Sequence, residues 1–157
     1  MLQKKILIVD DEISISYSIQ KALKNLPYEL HTAKNGSEAI ALLQTLTPDL
    51  ILLDLSMPVM NGLEFLKKIN LEQDDPYAVI VLTGHGTDED MRQCYELGAH
   101  FFIRKPFGIT DLTCIVERCI KYKDLELESR RYHKNLEESI KTQNTYINKL
   151  SLALEHS

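Results

Sequence analysis

Short hydrophobic runs alternate with amphipathic segments along most of the chain. Four runs are almost continuously apolar and rich in branched side chains: residues 6–9, 50–53, 78–82 and 101–103. Runs of this kind are typical of strands that are buried on both faces of a parallel sheet. A fifth segment, residues 28–33, alternates polar and apolar side chains, and this pattern favours a strand at the edge of the sheet.

Between the predicted strands, hydrophobic residues recur at helical spacing. Five segments show this pattern: residues 15–26, 39–46, 62–69, 88–98 and 112–119. Asn35-Gly36-Ser37 offers a turn and an N-cap before the second helix, and Gly98 is the predicted stop of the fourth. Strand and helix alternating five times predict an α/β fold, with a doubly wound parallel sheet and helices on both faces.

The pattern changes after about residue 121. The last proline is Pro106 and the last glycine is Gly108. Further on, the spacing becomes the 4-3 repeat of a coiled-coil seam, carried by Leu136, Ile140, Gln143, Ile147, Leu150 and Leu154. We therefore predict a helical, self-associating coiled-coil extension over residues 122–157. A solvated helix packed on its own domain is the alternative.

Composition and charge argue against nucleic-acid binding and membrane insertion. The chain has 157 residues and a net charge of −5, without a cluster of lysines and arginines that could follow a nucleic-acid backbone. No apolar run has the length of a membrane span, and the N-terminus lacks the apolar core of a signal peptide. We expect a cytoplasmic protein that binds neither nucleic acid nor membrane. The three cysteines form no CxxC pair and are predicted to be buried, reduced thiols.

Polar residues stand where the predicted strands end, and open parallel sheets bind ligands at those carboxyl ends. Asp10 and Asp11 follow the first strand, Asp54 the third, Thr83 the fourth and Lys105 the last. Crowded carboxylates repel each other unless a cation joins them, and hard oxygen ligands suit Mg²⁺. A carboxylate beside such a metal can attack phosphorus, while an ammonium group and a hydroxyl group stabilise the phosphoryl oxygens.

Four segments carry a resemblance to a known family. ILIVDDE, DLILLDLSMPVMNG, VIVLTGHGT and FIRKPF are similar to the signature segments of response-regulator receiver domains of two-component systems. The similarity runs from about residue 4 to residue 121, so we assign residues 1–121 to a receiver domain. It implies a flavodoxin-like five-stranded parallel sheet of order 2-1-3-4-5.

The resemblance also implies roles for single residues of the phosphorylation site. Asp10 and Asp11 match the acidic pair that binds Mg²⁺, and Asp54 matches the phosphorylated residue, which also binds the metal. The backbone carbonyl of Ser56 matches the remaining protein ligand. Ser56 and His85 stand at positions that flank the phosphoryl group in the family, where they could tune the lifetime of the phosphorylated state.

A second set of matches concerns the response to phosphorylation. Thr83 and Lys105 match the switch hydroxyl group and the lysine that pairs with the phosphoryl group. Phe102 matches the aromatic residue that turns inward on activation, although tyrosine is frequent there. The family pattern implies a cis Lys105–Pro106 bond.

The implied function is that of a phosphoacceptor switch, and not that of an enzyme acting on external substrates. Asp54 would take a phosphoryl group from a histidine of a cognate histidine kinase or phosphotransfer protein, in self-catalysed steps. The change would then pass through the C-terminal helix of a homodimer. Residues 148–157 resemble the helix that opens many PAS sensory domains, so we expect a larger protein with a PAS domain and a histidine kinase or diguanylate cyclase unit.

Other functions are compatible with parts of the sequence. A stand-alone receiver and a phosphorylation-independent interaction module remain open, although the second would normally have lost an acid, the threonine or the lysine. Haloacid-dehalogenase-type phosphatases need an aspartate two residues after the nucleophile, where this chain has Ser56. His133 lacks the acidic residue and the proline that follow the phosphodonor histidine of sensor kinases.

Overall fold

Five parallel strands form a single sheet in the computed structural model of the protein, which describes residues 3–55, 60–69, 77–84 and 86–155. The strands are β1 (Lys4–Val9), β2 (Tyr28–Ala33), β3 (Leu50–Asp54), β4 (Ala78–Thr83) and β5 (Phe101–Arg104). Their order across the sheet is β2-β1-β3-β4-β5, and every neighbouring pair is parallel. The predicted fold class and strand order are confirmed, including the place of β2 at an edge.

Within the described ranges, five helices connect and follow the strands: α1 (Ile13–Leu23), α2 (Gly36–Leu43), α3 (Gly62–Ile69), α4 (Asp88–Glu96) and α5 (Ile109–Glu155). The side chain of Asn35 caps α2 by accepting a hydrogen bond from the amide of Glu38 at 2.8 Å. Thr87 and Asp90 form a reciprocal capping box at the start of α4. Gly98 follows the end of α4 with a φ of 102°, a conformation that favours glycine.

Two helices end earlier than their hydrophobic spacing predicts. α1 stops at Leu23, because Leu26 precedes Pro27 and the chain turns there into β2. α2 stops at Leu43, and the amide of Leu46 closes a turn on the carbonyl of Leu42 at 2.8 Å. Leu26 and Leu46 therefore lie in turns that follow the helices.

The core consists of two layers, one on each face of the sheet. Alternate residues of β1 show why: Ile6 and Ile8 pack with α1 and with the first turns of α5, whereas Leu7 and Val9 pack with α2, α3 and α4. All five residues of β3 are buried, since β3 lies in the middle of the sheet with helices on both sides. This double burial explains the continuous apolar runs in the sequence.

The chain divides into two compact units, residues 1–123 and 124–157. The first contains the sheet, α1 to α4 and the part of α5 that carries the buried Leu112, Val116 and Cys119. In the second, which consists of the remainder of α5, the described residues of the predicted seam are exposed, from 46% for Leu136 to 75% for Leu154. No helix in the described part of the chain is long and apolar enough to cross a bilayer.

The three cysteines are free, but only two are buried as predicted. Burial raises the pKa of the Cys94 thiol to about 11 and that of the Cys119 thiol to about 12. The prediction for Cys114 is wrong because this residue lies on the outer face of α5, five positions from Cys119 and turned away from the core.

Candidate functional site

Two buried aspartates lie side by side at the carboxyl edge of the sheet. β1 and β3 are paired, β1 ends at Val9, and β3 ends at Asp54, so the next residue after β1, Asp10, is brought beside Asp54. Asp10 is 4% exposed and Asp54 is 3% exposed. The fold thus holds two carboxylates out of bulk water, which is costly unless cations or hydrogen bonds accompany them.

Asp11 completes a cluster of three carboxylates. One oxygen from each of Asp10, Asp11 and Asp54 lies within 4.8 Å of the others. Asp11 is exposed. The buried carboxylate of Asp10 is fixed by a hydrogen bond, which its Oδ1 accepts from the amide of Glu12 at 2.9 Å. The predicted metal-binding aspartates are therefore brought together, and they offer the hard oxygen donors that Mg²⁺ prefers.

Lys105 supplies a positive charge to the same cluster. Its amide donates to the carbonyl of Thr83 at 2.7 Å, which fixes the chain beyond β5 against the end of β4. Its Nζ lies 3.3 Å from Asp10 Oδ2 and 3.5 Å from Asp54 Oδ1. The Lys105–Pro106 bond is cis, as the resemblance implied. One ammonium group among three carboxylates leaves an excess of negative charge that a divalent cation would offset.

The cluster opens into a crevice of ≈ 750 Å³ that also contains Thr83, buried at the end of β4. Among the lining residues that were not predicted from the sequence are two with polar side chains at the starts of helices, Asn61 and Asp90. Asn61 accepts a hydrogen bond from the amide of Glu64 at 2.9 Å at the start of α3, and Asp90 belongs to the capping box of α4. Asn61 directly precedes α3 and Asp90 lies in the first turn of α4. Both helices begin at the carboxyl edge of the sheet, and this position was the signal that could have identified the two residues.

Gly62, which the sequence predicted only as the start of a helix, lies against the backbone at the end of β3. A Cβ atom at position 62 would lie 2.8 Å from Leu55 Cα and 2.9 Å from the carbonyl oxygen of Asp54. The amide of Gly62 donates to the carbonyl of Leu55 at 2.9 Å. Only a glycine allows α3 to begin this close to the backbone of Asp54.

The remaining predicted site residues differ in what the structure describes. Phe102 is half-buried and packs against the core layer formed by α2, α3 and α4. Ser56 and His85, predicted as a metal ligand and as tuning residues, lie outside the described residues.

Comparison with known proteins identifies the family. Residues 6–117 match the response regulator receiver domain. The regulatory protein AtoC of Escherichia coli is 32% identical over 86% of this chain and 29% of its own length. Sporulation initiation phosphotransferase F of Bacillus subtilis is 33% identical over 78% of this chain and 98% of its own length.

A solved structure agrees with these sequence relatives. A CheY-like response regulator receiver domain protein of Methanospirillum hungatei has a TM-score of 0.74 and 29% identity, covering 80% of this chain and 99% of that protein. NtrC of Salmonella typhimurium is 34% identical over 82% of this chain. The chain spans less than a third of the length of AtoC and of NtrC. Sequence and fold thus agree over the sheet and its helices, and the chain belongs to the response regulator receiver domain family.

Proposed function

We propose that Asp54 is the phosphoacceptor of a two-component phosphorelay. The observation that carries this proposal is the convergence of Asp10, Asp11 and Asp54 on one point, with Lys105 Nζ within 3.5 Å of the two buried carboxylates. Among these residues Asp54 stands at the end of the central strand β3 and lines the open crevice, so that a donor can approach it from solvent.

The proposed reaction moves a phosphoryl group from a histidine of a cognate kinase or phosphotransfer protein. An oxygen of Asp54 forms a bond to phosphorus while the phosphorus–nitrogen bond to the histidine breaks, and the leaving imidazole keeps the electron pair and takes up a proton. We propose that Lys105, 3.5 Å from Asp54, neutralises charge on the transferred oxygens, and that Thr83, which lines the same crevice, donates its hydroxyl group to one of them. The same groups would serve the later hydrolysis, so we propose that both steps are self-catalysed and that the domain is regulatory.

Mg²⁺ fits the donor set of this site. Asp10, Asp11 and Asp54 would hold the ion, together with the carbonyl of Ser56 as the family resemblance implies. Bound there, Mg²⁺ would offset the repulsion among the carboxylates and stabilise negative charge on the phosphoryl oxygens.

The proposed output begins with Thr83 and Phe102 and ends in the C-terminal helix. When Thr83 turns toward the phosphoryl group, the space that it leaves accommodates the ring of Phe102 and changes the surface of β5 and its neighbours. We propose that α5 carries this change as a parallel coiled coil in a homodimer, over residues 122–157. The support is the exposed seam: Leu136, Ile140, Ile147 and Leu150 are each between 46% and 56% exposed.

A larger protein context is part of the proposal. The chain spans only a fraction of relatives such as AtoC, which combine a region matched by this chain with further sequence. We propose that the receiver domain precedes a PAS domain and a histidine kinase or diguanylate cyclase unit. A stand-alone receiver is the second candidate, favoured by the match to nearly the full length of sporulation initiation phosphotransferase F.

The test is intact-mass spectrometry after incubation with acetyl phosphate and Mg²⁺. We expect one phosphoryl adduct that is labile to hydroxylamine, absent from Asp54→Asn and retained in Asp111→Asn, a control that removes an exposed carboxylate of the first turn of α5. The adduct should also disappear when Mg²⁺ is removed with a chelator. Failure of the wild-type protein to form an adduct, even with a phosphoramidate donor, would favour a phosphorylation-independent interaction module instead.

A further inference from the structure

The loop between β4 and α4 contains a glycine that touches both residues of the proposed switch. A Cβ atom at Gly86 would lie 2.9 Å from Thr83 Cγ2, 3.0 Å from Thr83 Oγ1 and 3.0 Å from Phe102 Cζ. Thr83 and Phe102 therefore both reach within 3.0 Å of a single point, and that point is free only because residue 86 has no side chain. Distances this short are below those of ordinary van der Waals contacts between heavy atoms.

We propose that Gly86 is a positioning residue of the phosphorylation switch. It leaves a space that the side chains of Thr83 and Phe102 share, so that a displacement of one changes the room available to the other. The inference rests on the function proposed above, because Thr83 must respond to the phosphoryl group on Asp54 for the shared space to carry a signal. It adds a third residue, one that lines the same crevice as Asp54 and has no side chain of its own to bind the phosphoryl group or the metal.

The atoms around Gly86 explain why a substitution there should act on the switch and leave the fold intact. The three nearest atoms all belong to side chains, whereas at Gly62 the nearest atoms belong to the backbone of Leu55 and Asp54. Side-chain ends can move by rotation, so an added methyl group at residue 86 should displace Thr83 and Phe102 and leave the backbone in place.

The same loop provides a matched control. A Cβ atom at Gly84 would meet no heavy atom within 4 Å. Gly84→Ala and Gly86→Ala therefore add the same methyl group two residues apart and reduce backbone freedom alike, but only Gly86→Ala intrudes on Thr83 and Phe102. Any difference between the two variants reports the intrusion.

The experiment follows the ring signals of the four phenylalanines by NMR, with Phe102 assigned through Phe102→Leu. In the unphosphorylated protein we expect Gly86→Ala to move the Phe102 signal, since overpacking by one methyl group shifts a conformer ratio by about tenfold or more. Gly84→Ala should reproduce the wild-type signal. After treatment with acetyl phosphate and Mg²⁺, the mass adduct should form in all three proteins, while the Phe102 signal responds in the wild type and in Gly84→Ala only.

A second measurement separates the contact from a general effect on the loop. In a double-mutant cycle, the loss of stability caused by Gly86→Ala should shrink when Phe102→Leu has already removed the ring atom that it meets. Additive effects in this cycle would overturn the inference, and so would equal perturbation of Phe102 by both glycine substitutions.

Failure of the proposed function gives a different pattern. A wild-type protein without a phosphoryl adduct would refute phosphorylation at Asp54. A wild-type adduct that leaves the Phe102 signal unchanged would refute the proposed switch, and with it the coupling that we assign to Gly86. A wild-type response that also persists unaltered in Gly86→Ala would overturn the inference about Gly86 alone.

Discussion

Replacing Asp54 by asparagine should stabilise the protein in magnesium-free buffer, although it removes the proposed phosphorylation site. Asp10 and Asp54 are both buried, and their oxygens lie within 4.8 Å, where two unit charges repel by about 3.5 kcal/mol at an effective dielectric constant of about 20. The exposed Asp11 adds a smaller repulsion that solvent screens. The substitution relieves both terms.

The opposing term is the attraction between Asp54 and Lys105. At the observed 3.5 Å this attraction is about 4.7 kcal/mol on the same scale, so it nearly cancels the two repulsions. Lys105 keeps a partner in the variant, because its Nζ also lies 3.3 Å from Asp10. The balance is then decided by desolvation, since burying a carboxylate costs several kcal/mol more than burying a neutral amide. We expect a net gain of about 1 to 3 kcal/mol for Asp54→Asn.

The assay is urea unfolding of the wild-type protein and of Asp54→Asn, each with a chelator and with Mg²⁺. The metal should raise the midpoint of the wild type, because a ligand that binds only the folded state stabilises it by about 2.7 kcal/mol at a hundredfold excess over its dissociation constant. The variant should gain much less. A variant that is less stable than the wild type without Mg²⁺, or a wild type indifferent to Mg²⁺, would refute the reasoning about repulsion at this site.

Three further predictions concern the scaffold of the site. A thiol reagent at pH 8 should modify only Cys114 in the folded protein, because burial raises the pKa values of the other two thiols and keeps them protonated. Modification of all three thiols before unfolding would contradict this prediction. Gly62→Ala should lower the free energy of unfolding by about 1 to 3 kcal/mol and slow phosphorylation, because the new methyl group would press on the carbonyl oxygen of Asp54. An unchanged midpoint of urea unfolding would contradict this prediction. Thr87→Ala should lower the free energy of unfolding by about 1 kcal/mol through loss of the α4 cap, and Thr87→Ser should retain most of the wild-type stability. Equal stability of the wild type and both variants would show that the cap is not formed in solution.

The positions of the charged site residues could be predicted because a parallel sheet converts strand ends into neighbours. Asp10 and Asp54 are far apart in sequence, yet a buried apolar run ends just before each of them. The parallel pairing of β1 with β3 then places the two aspartates side by side. The orientation of Lys105 was only implied by family resemblance, since nothing in its local sequence fixes the 3.3 Å contact of its Nζ with Asp10.

Contacts between loops and side chains could not be predicted in this way. Gly86 is an unremarkable loop residue in the sequence, and its closeness to Thr83 and Phe102 exists only after β4 and β5 have paired. The prediction for Cys114 fails for a related reason, because hydrophobic spacing gives the period of a helix but does not decide which of two nearby thiols faces the core. The helices α1 and α2 are shorter than predicted, because apolar residues at helical spacing continue into the turns that follow them.

The strand order has a consequence for how copies of this protein can associate. Among the strands that the structure describes, β2 and β5 lie at the edges of the sheet, so an intermolecular extension of this sheet would begin at one of them. β5 is only four residues long, and β2 presents the exposed Glu29 beside His31, 3.1 Å from it. Short and polar edges of this kind discourage aggregation through strand pairing. The two edges therefore act against amyloid-like growth and leave helical surfaces as the favoured places for copies to meet.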